Sequence, residues 1–161
     1  LPAASLTYLV RLLGYGAPHL APQIQTALRL AKQELASCQI NGTTWYWPAD
    51  ENPASRRHTP DGAVRLLAPF DPVVWDRRRF TLLWDWTYKF EAYTPAPQRK
   101  LGYYALPLLW HDRVIGWANV TAPQGHMVVN FGYADKAPQG ADFRAALDDE
   151  LQRMAYFLAA H

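Results

Sequence analysis

Leu6, Leu9, Val10 and Leu13 recur at the spacing of one helix face, and Gly14 and Gly16 end the pattern as C-terminal glycines do. Pro18 and Pro22 bracket a connection, after which Ile24, Leu28, Ala31 and Leu35 mark a second helix over Pro22 to Ala36. The period then shortens. Cys38 to Ile40 and Thr43 to Trp47 are two β-prone runs joined by Asn41-Gly42, and that pair predicts a hairpin because both turn positions need positive φ. Helix, turn, helix, hairpin is the order of a winged helix, here with its first helix trimmed.

From Pro48 to Gly62 the composition turns to Pro, Asn, Asp, Ser and Arg, the signature of a long loop or linker. Beyond it, Val64 to Leu67 reads as a short buried strand. Asp71-Pro72 reads as a helix start, with the carboxylate as N-cap and proline at the first helical position. Tyr88 to Tyr93 alternates as a strand. Tyr103 to Trp110 and Val114 to Thr121 flank His111-Asp112-Arg113 as a hairpin, and Met127 to Tyr133 forms a further strand. Phe143, Leu147, Leu151, Met154 and Leu158 then trace the apolar side of a closing helix. The expected architecture is α+β: a partial winged helix followed by an antiparallel β-rich domain with a C-terminal helix. Its expected divisions are a winged-helix segment at 1–50, a linker at 51–62 and the β-rich domain at 63–161.

At 161 residues, half of them hydrophobic, the chain has enough apolar side chains for a real core. A net charge of +2 permits an anionic partner without requiring one. The single Cys38 excludes an intrachain disulfide and suits a reducing, cytoplasmic setting, and no apolar run approaches the roughly 20 residues that span a bilayer. The chain opens at Leu1-Pro2 and runs almost at once into a helical pattern, so a fragment of a longer polypeptide is expected, with its remainder N-terminal to Leu1.

The five histidines, His19, His58, His111, His126 and His161, are scattered without a carboxylate or thiol at ligand spacing, so neither a metal nor another cofactor is expected. Asp71, Asp76 and Asp85 are candidates for an acid–base pair, weighed against the commoner roles of N-cap and ion pair with the arginines. Asp148, Asp149 and Glu150 are expected to be solvated on the last helix. Basic residues gather in three clusters: Arg56-Arg57-His58, Arg77-Arg78-Arg79 beside Trp75, and Arg99-Lys100 just before Tyr103-Tyr104. Cations interleaved with rings suit nucleic acid, because charges neutralise phosphates while rings stack or wedge. Against this, each cluster taken alone is a solvated face. Seven tryptophans give a rival reading, a stacking platform for a sugar or small aromatic ligand. The pairs Trp45/Trp47 and Trp84/Trp86 would each lie on one face of a strand.

At LLAPFDPVVWDRRR and again through YKFEAYTPAPQRKLGYYALPLLWHDRVIG, Tyr88 to Gly116, the sequence resembles the AlkZ/YcaQ-like DNA glycosylases. Weaker similarity reaches back through RLLGYGAPHL and forward to the last helix. The resemblance places the chain at the C-terminal part of that family, the end of its winged-helix array and a β-rich closing domain. It implies hydrolysis of the N-glycosidic bond of alkylated or crosslinked bases without metal or organic cofactor. In the family, catalysis is attributed to a Gln-x-Gln or Gln-x-Asp motif nearer the N-terminus. That role is not carried over to Gln23-Ile24-Gln25, whose setting in a late helix differs, and no catalytic residue is assigned. A second departure is Trp117, Asn119 and Thr121, which stand where the family's strand carries charged residues, so this strand is expected either to treat DNA differently or to face a less charged partner.

The expected function is therefore the C-terminal part of a DNA-repair glycosylase that contributes binding of double-stranded DNA. The residues proposed to meet DNA are Arg56, Arg57, Trp75, Arg77, Arg78, Arg79, Arg99, Lys100 and Tyr103. At least one arginine of the triplet is expected to pair with Asp76 or Asp85. The alternatives are a winged-helix regulator without glycosylase activity and a tryptophan-rich ligand-binding module.

Overall fold

Asn41 (φ 49°) and Gly42 (φ 74°) both adopt the left-handed backbone their pairing predicts, and they close an antiparallel hairpin. Its strands are β1 (Ala36–Ile40) and β2 (Thr43–Trp47), with Ala36 paired to Trp47 and Cys38 to Trp45. Two helices precede it, α1 (Ala3–Gly16) and α2 (Ile24–Glu34), connected by a 3-10 turn over Pro18–Gln23. Gly14 does not stop α1. It lies inside the helix, where a Cβ would sit 2.8 Å from the Ile24 side chain, so its smallness serves close packing rather than termination. The computed structural model describes residues 1–159, and His161 lies outside them. The chain divides into two compact units, Leu1–Thr59 and a second that begins at Pro60.

The second unit is built on a four-stranded antiparallel sheet in the order β3 (Val64–Leu66), β4 (Ala105–Trp110), β5 (Arg113–Thr121), β6 (Val128–Tyr133). The β4–β5 turn holds His111 at φ 53°. Opposite the Leu108/Leu109 step the register shifts, with Leu108 paired to Gly116 and Leu109 to Val114, so Ile115 is the extra residue of a bulge. The bulge puts Val114 and Trp117, three apart, on the same side of the sheet, together with Leu67, Val74, Phe80, Tyr88 and Ala105. The opposite side packs Val64 and Leu108 against Phe143 of α4 (Ala141–Ala159). Phe143 is buried and Leu147, Leu151 and Met154 are half-buried, whereas Leu158 at the end of the expected stripe is exposed. The architecture is α+β, with antiparallel sheets in both units. Among the described residues no helix is long and apolar enough to cross a membrane.

Three local expectations are corrected. Tyr88 to Tyr93 is not a strand: its alternation arises because Tyr88 and Glu91 are buried singly along an irregular segment. Asp71-Pro72 opens only one turn, and the helix α3 (Arg77–Trp84) begins five residues later with Asp76 as its N-cap. Trp84 and Trp86 accordingly do not share a strand face. Trp84 ends α3, Asp85 follows in left-handed backbone (φ 55°), and the two rings both pack on Phe80 at 4.8 and 4.9 Å.

Candidate nucleic-acid interface

The corner Pro69-Phe70-Asp71-Pro72 is held from both ends. The Asp71 carboxylate accepts the Val73 N–H at 2.8 Å, and its carbonyl accepts the N–H groups of Val74 and Trp75. Arg77 then reaches back along the chain. Its guanidinium donates to the carbonyls of Val74 (2.7 Å) and Pro69 (3.0 Å) and lies 4.3 Å over the ring of Tyr88. Burial lowers the Arg77 pKa, and the same burial pushes the Tyr88 phenol up to about 12, its hydroxyl donating to the Ala105 carbonyl at 2.7 Å. Arg79 donates to the Pro72 carbonyl, while its own N–H is received by Asp76. The internal bonds of the triplet thus go to backbone carbonyls rather than to Asp76 or Asp85: among the described residues no ion pair joins either carboxylate to these arginines. Arg78 points its charge to solvent, and Trp75 beside them is half-buried.

The third cluster has a different organiser. The buried Glu91 carboxylate accepts three consecutive backbone N–H groups, from Lys100 (2.8 Å), Leu101 (2.7 Å) and Gly102 (3.4 Å). Burial pushes the Glu91 carboxyl up, but the three donors outweigh it and hold its pKa below the ordinary carboxylate value. Gly102 (φ 117°) lies directly under Asn119, whose side-chain amide donates to the Leu101 carbonyl at 2.7 Å. Asn119 is thus committed to this loop, and Trp117 packs in the core against Trp86 and over Gly132. On β5 both Trp117 and Asn119 are thus half-buried in contacts within the unit, and Thr121 alone of the three is exposed. On the loop itself, Arg99 donates to the Thr94 carbonyl at 2.8 Å and stacks its guanidinium 4.9 Å over Tyr103. Tyr103 is exposed, as is Lys100.

The structure therefore brings Arg99, Lys100 and Tyr103 together on one hydrogen-bonded loop, and leaves Arg78 as the outward member of its triplet. Arg56 and Arg57 belong to the first unit, where Arg57 pairs with Glu51 and bonds His58 at 3.3 Å while both arginines remain exposed. An exposed pair of that kind contributes little to stability and yields readily to a stronger anion. Asp71 and Asp76 act as caps, and Asp85 is exposed. Gln23 and Gln25 are exposed, with Ile24 between them turned to α1. Glu150 corrects the expectation of a solvated acid. It accepts the Leu66 N–H at 2.6 Å and, with Arg153 donating to the Val64 carbonyl, fastens α4 to the free edge of β3. Sequence reasoning missed Glu91. Its signal was a carboxylate set among three aromatic residues, in Tyr-Lys-Phe-Glu-Ala-Tyr.

An α+β scaffold that clamps a basic, aromatic loop in place has the makings of a protein that handles nucleic acid. A family model described as DNA glycosylase AlkZ-like matches residues 10–157, and the chain belongs to that family. No solved structure matches it.

Proposed function

We propose that this chain supplies double-stranded DNA binding to a glycosylase that removes alkylated or crosslinked bases by hydrolysing the N-glycosidic bond, and that the water-positioning residues lie in a further part of the polypeptide, N-terminal to Leu1. Leu1 to residue 50 would then be the last, incomplete winged helix, residues 51–62 a linker, and residues 63–161 the closing domain. The observation that carries the reading is the Glu91-clamped loop: three backbone amides fixed on one carboxylate hold exposed Lys100 and Tyr103 next to Arg99, which is half-buried and stacks on Tyr103. Phosphate contacts from Arg78, Arg99 and Lys100, with Arg56 and Arg57 as a second basic site on the first unit, give affinity without base reading. Arg77 and Arg79 support this surface from behind, through the carbonyls they hold. Trp75, half-buried beside them, is proposed to border the same surface.

The test is the salt dependence of duplex binding by the Arg99→Ala/Lys100→Ala variant. Each neutralised phosphate contributes about −0.9 to the slope of log K against log salt, so the variant is expected to bind with a slope shallower by up to about two. An unchanged slope at full affinity removes the loop from the DNA surface. A regulator without glycosylase activity would share the binding result and differ only in the longer polypeptide's failure to release base.

A further inference from the structure

We propose that the exposed aromatic cluster Phe70, Phe90, Tyr93 and Tyr104 is a stacking site for unpaired nucleobases, a reading that deepens the proposed DNA function and rests on it. Phe90 is the centre. Phe70 meets it at 5.3 Å and 66°, Tyr93 at 6.1 Å and 82°, and Tyr104 at 5.2 Å and 89°. Each outer ring thus touches Phe90 at a steep angle and keeps a face for another planar group. The outer rings are far from buried, at 68% exposure for Phe70, 92% for Tyr93 and 45% for Tyr104. Single exposed apolar residues are ordinary, but four linked rings form a contiguous patch, which marks a binding surface.

The rings are held rather than loose. Pro69 and Pro72 flank Phe70, and Arg77 and Arg79 grip the carbonyls of those two prolines. Tyr93 is followed by Thr94, whose N–H is bound by the Glu91 carbonyl and whose carbonyl is bound by Arg99. Three half-buried guanidiniums, those of Arg77, Arg79 and Arg99, thus fix the backbone on which Phe70 and Tyr93 stand. Charge decides among occupants. Lys89 adjoins Phe90 in the chain, Arg99 binds the carbonyl of the residue after Tyr93, and exposed Lys100 follows it, so the segments that carry the rings also carry cations. Glu91, the acid in their midst, is buried and saturated by backbone donors, and Asp71 is engaged with Val73. Flat aromatic faces on segments that carry cations fit a base with its phosphate, and stacking of this kind is sequence-tolerant because every base has a π-face. An aliphatic protein surface would have no use for the cations.

The experiment compares a matched duplex with the same duplex carrying two unpaired nucleotides, both titrated with the chain at one salt concentration and read by fluorescence anisotropy. The bulged duplex is expected to bind about tenfold more tightly, the effect of one stacked base. Phe70→Leu/Tyr93→Leu is expected to lose that preference and keep the salt slope, and Tyr93→Phe to retain both. Both positions are exposed, so the variants should show unchanged circular dichroism and melting. Equal binding of the two duplexes by the wild type, or an intact preference in the double leucine variant, overturns the stacking site. If the matched duplex still binds with a steep salt slope, the phosphate-binding reading survives that result. Failure to bind either duplex removes both.

Discussion

Arg77, Arg78 and Arg79 are one residue type three times over, yet the fold gives them separate work. Arg77 bridges two carbonyls and covers Tyr88, so Arg77→Lys should lower stability by about 1–3 kcal/mol, because an ammonium cannot span both acceptors and stack at once. Arg78→Ala should leave the melting temperature unchanged and weaken DNA binding alone, a contrast that thermal melts and anisotropy on the two variants resolve. Tyr88 adds a pH test. Its pKa is raised in the folded chain, from 10.0 to about 12, so its contribution is fully present below pH 10 and is lost as pH rises through about 12. The loss amounts to roughly 2–3 kcal/mol, and urea titrations from pH 9 to 12 should show a decline that Tyr88→Phe lessens. The sequence led to the expectation that at least one arginine is bonded internally, but not which, nor that the acceptors are carbonyls rather than Asp76 or Asp85. A run of arginines announces positive charge, and which of them turns inward depends on the carbonyls of the Pro69–Pro72 corner, placed by contacts the run does not encode.

At the scale of elements, local chemistry read well where it is self-sufficient. The Asn41-Gly42 hairpin and the closing helix need only turn preference and periodicity, and both are present, with Leu158 of the helix's expected stripe left exposed. Tyr88 to Tyr93 failed because alternation was mistaken for sheet pairing, when the buried members are there to anchor an arginine and a row of amides. The start of α3 was misplaced because both Asp71 and Asp76 are competent caps. The one followed by an uninterrupted run of donors, Asp76, won the helix, while Asp71 spent its carboxylate on Val73. Glu91 gives the prediction at this scale. Glu91→Ala strips three part-buried amides of their acceptor and should destabilise the second unit by about 1–3 kcal/mol while raising amide hydrogen exchange at residues 100–102. Since the folded pKa of Glu91 is depressed, its stabilisation is present above its ordinary value of 4.5 and is lost as pH falls through the lower folded value.

For the whole molecule, membership of the AlkZ-like family points to DNA repair, and base release is proposed to rest on residues other than those of this chain. Gln23 and Gln25 are exposed positions at the start of α2, and Asp71 and Asp76 of the second unit are engaged as caps. This chain alone should therefore not release base from an N7-alkylated duplex. Release that a Gln23→Ala/Gln25→Ala variant abolishes would assign catalysis to residues set aside here. The account stands most directly on the wild-type chain's affinity for matched duplex DNA, measured between about 50 and 200 mM salt. Phosphate contacts from Arg78, Arg99 and Lys100 predict a linear decline of log K against log salt with a slope of about −2.7, steepening to about −4.5 if Arg56 and Arg57 engage as well, with the same affinity for unrelated sequences. Binding that ignores salt, or no binding at the lowest salt, would contradict it.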